Sequence, residues 1–523
     1  MVIAASLSTA YWNAIQITSN DVEQLQAYLF ERETPLTSAE LVAAFVENRV
    51  RAERAQRELE QTLHREKTYL PREAYEVGDQ LNFPALDGRR GRVVSVRPGN
   101  NPSMDPFDVI AVAMEDGSER SFAANLAHHD LNNLTTTEPG DGTSQAEAVV
   151  KQHGAQIAAQ LEAAFQDDAS LVRIAGRWFP RSLLVSVNVG HLNLAEAVLD
   201  VSGGEPQPTS NLLRDVALPE GVNPKLTEFS LNLALQEDER FDEVGPAGQV
   251  LWCLRRLEPE AVRAVPSWLQ YRPIEHDRDV MSEEMRTLEQ QLDDELSPLG
   301  ASAAADDGAP VTISLIYPHL RAGTLPVSAR ASRLFPTAYE SPRVRFTLVD
   351  GRTKQKMPGW VVREHGYVYG LREWFKMHAL IPGSLVRVRQ GDHPGEVIVE
   401  AGMQRAAKDW VRTLMIGADG GMVFAMLKQP ITAEFNDRMA IHVPDFRLLD
   451  PLWQKSRPFE ELAVSMLREI TKLNTQAHVH AQELYAAVNL VRRVPPAPLF
   501  ALLQTSDRFV HVGDLHFRLQ DGS

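Results

Sequence analysis

The sequence predicts a multidomain α+β protein in which helical modules are combined with two small antiparallel β-barrels. Three observations lead to this prediction: the length of the chain, changes of hydrophobic period along it, and a sequence pattern that occurs twice. A chain of 523 residues corresponds to about three to five domains at roughly 100–200 residues each. An apolar fraction of 44% and a charged fraction of 24% are typical of globular proteins, which excludes a largely disordered chain.

The composition also narrows the classes of function. Cys253 is the single cysteine, which excludes a disulfide framework and a cysteine-rich zinc finger and favours a cytosolic protein. Because the chain has no run of about 18 apolar residues, we expect no membrane partner. The patterns GxxxxGK[ST], GxGxxG, HExxH and GxSxG do not occur in the sequence. We therefore expect a protein that is not an enzyme, with no catalytic residue, no metal site and no cofactor.

Residues 1–68 are predicted to form a helical segment like the start of a helix-turn-helix module. Thr18 stands before an apolar stripe with helical spacing that includes Leu25 and Leu29. Thr37 and Glu40 have the spacing of a capping box, which predicts the start of a second helix. A small helical bundle or a dimerising arm is an equally good interpretation of this segment.

Residues 69–133 change to a β-type pattern and are predicted to form the first small barrel. Short apolar runs at 77–83, 91–97 and 107–112 alternate with Gly, Pro, Asn and Asp, and residues 120–122 add a fourth strand. The pattern Gly-x-x-Leu-x-Phe-Pro, which starts at Gly78, resembles the small barrels of the Tudor and KOW kind. That resemblance implies contacts with RNA, nucleoprotein or protein, although such barrels also serve as spacers.

A sequence pattern occurs twice, at residues 240–245 (RFDEVG) and 508–513 (RFVHVG). Each copy is followed by a further strand and preceded by three predicted helices, with a proline in the first turn of the last helix in the second copy. Three helices followed by a two-stranded hairpin make a winged helix-turn-helix. We therefore predict winged-helix domains at residues 145–275 and 455–523.

The closing strands resemble the wing of HARE-type helix-turn-helix domains, the group that includes the N-terminal domain of the RNA polymerase delta subunit. Residues 479–484 (VHAQEL) match the start of the second helix in that group. The resemblance implies a connection with transcription. In the first copy the third helix is nearly neutral to acidic, which favours a protein contact, whereas Arg492, Arg493 and Arg518 in the second copy favour contact with a phosphate backbone.

Residues 276–310 are predicted to be an acidic helix and linker. Residues 281–310 carry eight Asp and Glu residues against Arg286, and the small-residue run 301–305 follows. Because acidic runs are usually solvated, we expect an exposed helix that ends in a flexible joint.

Residues 311–450 are predicted to form a basic barrel. Residues 343–412 hold thirteen Lys and Arg against seven acids, so this segment carries +6 and the rest of the chain −23. A local positive field of this kind attracts polyanions whatever the total charge. Arg387 and Arg389 alternate along a predicted strand, so both guanidinium groups are expected on one face, where they could bind phosphates. In the other interpretation, the aromatic residues fill the core and the arginines form a solvated rim.

The segment around Trp374 and the strand that contains Arg387 resemble the plant-type DNA-binding pseudobarrel of auxin-response transcription factors, with Ser384 in place of the family's Asp. The resemblance covers about 60 residues and implies DNA binding. The predicted nucleic-acid-binding residues are Arg343, Arg345, Lys354, Lys356, Arg363, Arg372, Trp374, Lys376, Arg387, Arg389, Arg492, Arg493 and Arg518.

Taken together, these features predict a cytosolic, DNA-binding protein connected with transcription. The alternative is a protein–protein assembly factor whose winged helices contact other proteins. Such a factor would be associated with RNA polymerase or act as a specificity subunit in defence or restriction.

Overall fold

The computed structural model describes residues 9–63, 67–86, 88–101, 106–115, 117–133, 142–219, 221–298, 308–403, 408–417, 421–455 and 457–520. These residues form two compact units. The first comprises the described residues up to 173 together with 177–184 and 223–226, and the second comprises 174–176, 185–222 and the described residues from 227 onward.

In the first unit, helices and short strands come before and after a five-stranded sheet in the order of the chain. In chain order its elements are α1 (Thr9–Asn13), α2 (Ser19–Arg32), β1 (Leu36–Thr37), α3 (Ser38–Leu63), β2 (Lys67–Thr68), β3 (Gln80–Phe83), β4 (Arg89–Pro98), β5 (Asp108–Met114), β6 (Glu119–Ala124), α4 (Gly142–Gln166), β7 (Leu171–Ile174) and β8 (Arg177–Pro180).

Both predicted helix starts near the N-terminus are confirmed. The Thr18 side chain accepts a hydrogen bond from the backbone N–H of Asp21, whose carboxylate accepts one from the Thr18 N–H at 2.9 Å. Glu40 and Thr37 exchange the same two bonds, at 3.2 and 2.7 Å. Helix α4, which the sequence assigns to the 145–275 domain, instead shares a core with α3.

The predicted strands of residues 69–133 are present as one sheet in the order β2-β3-β4-β5-β6. β2 and β3 are parallel, and the other neighbours are antiparallel. Leu81, Val93 and Ile110 form part of its own core. Gly91 has no space for a side chain, because a Cβ there would lie 2.5 Å from a methyl group of Val112.

The elements after β8 continue the chain order. They are α5 (Val189–Val201), β9 (Gln207–Pro208), α6 (Thr209–Leu212), α7 (Pro224–Gln236), β10 (Phe241–Glu243), β11 (Leu251–Leu254), α8 (Glu260–Arg263), α9 (Glu283–Leu292), β12 (Val311–Ser314), α10 (Tyr317–Ala322), β13 (Thr324–Pro326), β14 (Arg343–Asp350), β15 (Lys356–Val362), β16 (Tyr367–Tyr369), α11 (Arg372–Met377), β17 (Leu385–Gln390), β18 (Glu396–Ala401), β19 (Asp409–Ile416), β20 (Met422–Gln429), β21 (Ile441–His442), α12 (Asp450–Gln454), α13 (Phe459–Thr471), β22 (Val479–His480), α14 (Ala481–Val488), α15 (Pro496–Thr505), β23 (Phe509–Gly513) and β24 (His516–Leu519).

The same order of elements, helix–strand–helix–helix–strand–strand, occurs three times, and we call these segments the helix–hairpin repeats. The second and third repeats are α5 to β11 and α13 to β24, where the sequence predicts three helices and a hairpin. In both, the first short strand pairs with the last one. The first repeat runs from α2 to β8, with the five-stranded sheet inserted between α3 and α4, and its β1 likewise pairs with β8. The sequence does not reveal this interrupted copy.

The predicted basic barrel is a seven-stranded sheet in the order β12-β17-β18-β14-β15-β16-β13. β14 and β18 are parallel, and the other neighbours are antiparallel. The two edge strands are joined through α10, whose six residues span about 9 Å, whereas a flat sheet would separate them by about 29 Å. The sheet is therefore curled into a half-barrel, and β19, β20 and β21 form a separate three-stranded sheet.

The predicted acidic helix is present as α9, but only one of its faces, which includes Glu283 and Glu284, is exposed. In α9, Met285 and Leu288 are buried in the same core as Leu484 and Phe500 of the third repeat. Three of the acidic side chains are buried as well, since Glu289, Asp293 and Asp294 are at most 6% exposed. The predicted flexible joint at 301–305 lies outside the described residues. Within the part of the chain that the structure describes, no helix has both the length and the apolar character needed to cross a bilayer.

Candidate functional site

Two of the predicted cations are structural. The Arg343 guanidinium pairs with Asp242, lies 3.6 Å from Glu258, and donates through Nε to the Val262 carbonyl at 3.1 Å. Arg345 lies over the ring of Trp360 at 5.7 Å and donates to the Phe346 carbonyl. Both side chains thus fix the position of β14, and neither is an open phosphate ligand.

Trp374 and Arg493 are corrected by the structure. Trp374 is 1% exposed and packs in the core of the half-barrel, so it cannot stack on a base, and the core interpretation of this aromatic residue holds. Arg493 is also 1% exposed, with its guanidinium between the carboxylates of Asp294 and Glu295. The sequence pattern around these two residues does not reveal that they are buried. For Arg493 the reason is that both partner carboxylates come from the distant acidic segment 276–310.

The other predicted cations of the half-barrel lie at or near its surface, and several of them have partners. Lys356, Lys376 and Arg387 pair with Glu396, Glu373 and Glu434 at 2.6–3.0 Å. Arg363 donates to the Ser341 carbonyl, and Arg372 to the Ala322 carbonyl. Exposed pairs of this kind contribute only about 0–1 kcal/mol, so they can be exchanged for a ligand.

Arg387 and Arg389 lie on one face of β17, as the sequence predicts, since the buried Val386 and Val388 alternate with them. Arg389 and the exposed Lys354 have no carboxylate partner among the described residues. In the third repeat, Arg518 is half-buried on β24 and donates to the Leu519 carbonyl at 3.5 Å.

A cavity of about 530 Å³ in the second unit brings together cations that the half-barrel does not contain. It lies between residues 267–272, the helix α12 with the two residues 455 and 457, and the turn 491–493 that follows α14. Its cations without a carboxylate partner among the described residues are Arg272, Lys455, Arg457 and Arg492. We call these residues, with Trp268 and Trp453, the cationic pocket.

The arginine at the inner side of the pocket is held in place by its own surroundings. Arg492 is half-buried over the ring of Phe459 at 5.6 Å, and its Nη1 donates to the Arg457 carbonyl at 3.3 Å. Burial lowers the pKa of Arg492, the neighbouring Tyr271 raises it, and the positive charge of Arg272 lowers it. A half-buried guanidinium with a second guanidinium nearby is electrostatically unfavourable, and an anion in the pocket would relieve this repulsion.

Two tryptophans line the same cavity. Trp268 follows Pro266 in a short turn, and the guanidinium of Arg321 lies over its ring at 4.7 Å. Arg321 is in turn paired at 3.0 Å with Asp450, a carboxylate of the cavity lining. Trp453 donates from its indole N–H to the Leu490 carbonyl at 2.8 Å. Both rings are therefore fixed next to the cations.

This arrangement can bind an anion that carries an aromatic group. Guanidinium groups form paired hydrogen bonds with phosphate or carboxylate oxygens, and indole rings provide a stacking surface. The sequence predicts only Arg492 among these residues. Arg272, Arg457 and the tryptophans were missed, because three segments far apart in the chain meet here and no local spacing connects them.

Among the described residues, no group of three or more His, Cys, Asp and Glu side chains is placed to hold a metal ion. No protein-family model, curated protein or solved structure matches this chain. Its function is therefore inferred from the side chains of the site.

Proposed function

We propose that this protein is a non-enzymatic nucleic-acid-binding protein, with DNA as its expected ligand and transcription as its expected setting. The observation that carries the proposal is the cationic pocket, in which four cations without carboxylate partners among the described residues surround one cavity together with two tryptophans. Such uncompensated positive charge, in a chain of net charge −17, indicates a site suited to an anionic ligand.

We further propose that the helix–hairpin repeats are winged helix-turn-helix modules, the third of them of the HARE type. The order of three helices and a hairpin supports this assignment. A helix that reads the major groove needs an exposed polar face, yet seven of the ten residues of α15 are buried. The third repeat therefore supports the pocket as a packing element and does not insert α15 into DNA.

The half-barrel is a second nucleic-acid surface in this proposal, as its resemblance to the plant-type pseudobarrel implies. Arg387 and Arg389 supply the cations on one face of β17. The pair between Arg387 and Glu434 lies at the surface, with the arginine side chain 51% exposed, so it competes only weakly with a phosphate.

The alternative function, a protein-assembly factor, is favoured by a different observation. The hairpin of β19 and β20 exposes Trp410, Met415 and Val423 to 60%, 44% and 44%. Met415 and Val423 are opposite each other in the hairpin, and Trp410 lies five residues before Met415 on the same strand. Several exposed apolar groups on one hairpin are typical of surfaces that bind proteins. If the assembly function is correct, the protein co-purifies with a partner and the hairpin variant Trp410→Ser loses that partner.

Binding of labelled DNA by the full chain, followed by fluorescence anisotropy, tests the proposed function. The double variant Arg457→Ala/Arg492→Ala should bind at least about tenfold more weakly, because hydrogen bonds to charged groups contribute about 1.5–3 kcal/mol each. Arg447→Ala/Lys472→Ala is the matched control, since it removes the same charge from two exposed, paired cations elsewhere. Equal loss in both variants, or no binding by the unaltered chain at low salt, would overturn the proposal.

A further inference from the structure

We propose that the cationic pocket binds a single nucleotide unit whose phosphate is terminal, either as a free nucleotide or as the phosphorylated end of a strand. This inference rests on the proposed function and adds the chemical class of the ligand. The free nucleotide and the strand end share this chemistry, since both present a nucleoside that carries a phosphate monoester or a polyphosphate.

The size of the cavity limits what can enter. Its volume of about 530 Å³ lies in the range of about 300–1,000 Å³ that is typical of sites for small ligands. A duplex cannot enter such a space, since its major groove alone is about 12 Å wide. The pocket accordingly takes one nucleotide, while the remainder of a strand would lie outside it.

The charge of the pocket favours a terminal phosphate over an internal one. Arg272, Lys455, Arg457 and Arg492 converge on the cavity, and its carboxylate Asp450 is already paired with Arg321. An internal phosphodiester brings one negative charge, whereas a phosphate monoester carries about −1.5 to −2 at neutral pH and a polyphosphate more. The terminal group thus neutralises more of the cluster and accepts more hydrogen bonds from it.

The position of Arg492 matches this role. Its guanidinium lies over the ring of Phe459 and donates one N–H to the Arg457 carbonyl. The planar group is therefore oriented before a ligand arrives and retains further donors, which suits bidentate binding of phosphate.

The tryptophans supply the recognition of a base. Arg321 covers Trp268 on one side, and the hydrogen bond to the Leu490 carbonyl fixes Trp453. A base that stacks on an aromatic side chain gains about 1–3 kcal/mol whatever its identity. Gln270 and Gln454 on the same lining offer hydrogen bonds to a base edge or a sugar hydroxyl.

The test compares ligands on the full chain by isothermal titration calorimetry. The probes are one single-stranded DNA in three forms, with a 5′-phosphate, with a 3′-phosphate and with no terminal phosphate, together with ATP and inorganic triphosphate. If the ligand is the end of a strand, we expect a terminal phosphate to increase the affinity for that strand at least tenfold. If the ligand is a free nucleotide, we expect ATP to bind, and neither the unphosphorylated strand nor buffer anions should displace it. Inorganic triphosphate should bind more weakly than ATP, because it lacks the base.

Variants of Arg492 and Trp268, together with a surface control, locate the effect. Arg492→Gln should abolish the preference for a terminal phosphate, and Trp268→Ala should reduce the advantage of ATP over triphosphate. If Trp268→Ala fails to fold, Trp268→Leu keeps the apolar volume and answers the same question. Arg447→Ala/Lys472→Ala, the paired surface control, should behave like the unaltered chain.

The outcomes separate the two proposals. If strands bind with equal affinity with and without a terminal phosphate and ATP does not bind, the inference is overturned and the proposed function stands. If ATP binds through Arg492 and no strand binds, the inference stands and the proposed function fails. If neither strand nor nucleotide binds, both are overturned.

Discussion

Arg493 and Asp294 form a bidentate ion pair across 199 residues of the chain, with Nη1–Oδ2 and Nη2–Oδ1 distances of 2.8 and 2.6 Å. The two side chains are 0% and 1% exposed. Glu295 lies 2.7 Å from the same guanidinium. Although burial alone would raise it, the pKa of Glu295 is lowered, because Arg493 and His319 face its carboxylate. The acidic segment therefore neutralises Arg493 of the third repeat, whereas Arg492, its neighbour in the chain, has no carboxylate partner among the described residues and belongs to the cationic pocket.

Replacing Arg493 should be strongly destabilising. Arg493→Ala removes the guanidinium shared by the buried Asp294 and Glu295, so we expect a loss of about 3–5 kcal/mol in the free energy of unfolding. Denaturant unfolding measures this loss. Arg447→Ala, which removes an arginine side chain that is 84% exposed, should change stability by no more than about 0.5 kcal/mol. Similar small losses in both variants would mean that the buried pair contributes nothing.

Glu258 should make the stability of the protein depend on pH. Burial raises the pKa of Glu258, and the charge of Asp242, which shares the guanidinium of Arg343 with it, raises it further. The folded state therefore keeps a proton that the unfolded state loses, so this stabilisation is complete below the ordinary pKa of 4.5 and disappears as pH rises through the folded pKa. Relative to the unaltered chain, Glu258→Gln should gain stability between about pH 5 and about pH 9. A stability difference that stays constant over that range would contradict the shift.

Variants of Trp374 distinguish an effect on folding from an effect on DNA binding. Trp374→Ala should cost about 3–5 kcal/mol of stability, because it empties a site in the core of the half-barrel. Trp374→Phe keeps most of that volume, so the variant should fold and bind DNA like the unaltered chain. Weaker DNA binding by a Trp374→Phe variant of unchanged thermal stability would instead assign this side chain to the binding surface.

Replacing Gly245 and replacing Gly154 by alanine should change stability in opposite directions. A Cβ at Gly245 would lie 1.9 Å from the backbone oxygen of Gln249, so Gly245→Ala should shift the hairpin of the second repeat and lower the melting temperature. In α4, a Cβ at Gly154 meets only a methyl group of Val150 at 3.5 Å, so Gly154→Ala should stabilise by about 0.5–1 kcal/mol through helix propensity. Thermal unfolding checks both signs, and two changes in the same direction would disprove the assigned reason.

The sequence was sufficient for features that depend on neighbouring residues. The caps at Thr18 and Thr37, the strands between 80 and 124, and the second and third helix–hairpin repeats follow from local spacing. Even there, glycine is required at corresponding positions for different reasons. Gly245 avoids a clash, whereas Gly513, its counterpart in the repeated pattern, has φ +109°.

Features that depend on distant partners were out of reach. Arg493 and Trp374 have the residue types of a nucleic-acid surface, and only their neighbours in space show that they are buried. The first repeat was hidden because a sheet separates α3 from α4. The cationic pocket is assembled from three distant segments, so of its cations only Arg492 was predicted.

The salt dependence of DNA binding by the full chain tests the central claim most directly. Each phosphate that a cation contacts on a single strand contributes about −0.7 to the slope of log affinity against log salt concentration. If Arg457 and Arg492 contact phosphates, the double variant Arg457→Ala/Arg492→Ala should reduce the steepness of this slope by about 1.4, with no change in Arg447→Ala/Lys472→Ala. An unchanged slope in the pocket variant, with its fold intact by circular dichroism, would contradict the claim that the cationic pocket binds nucleic acid.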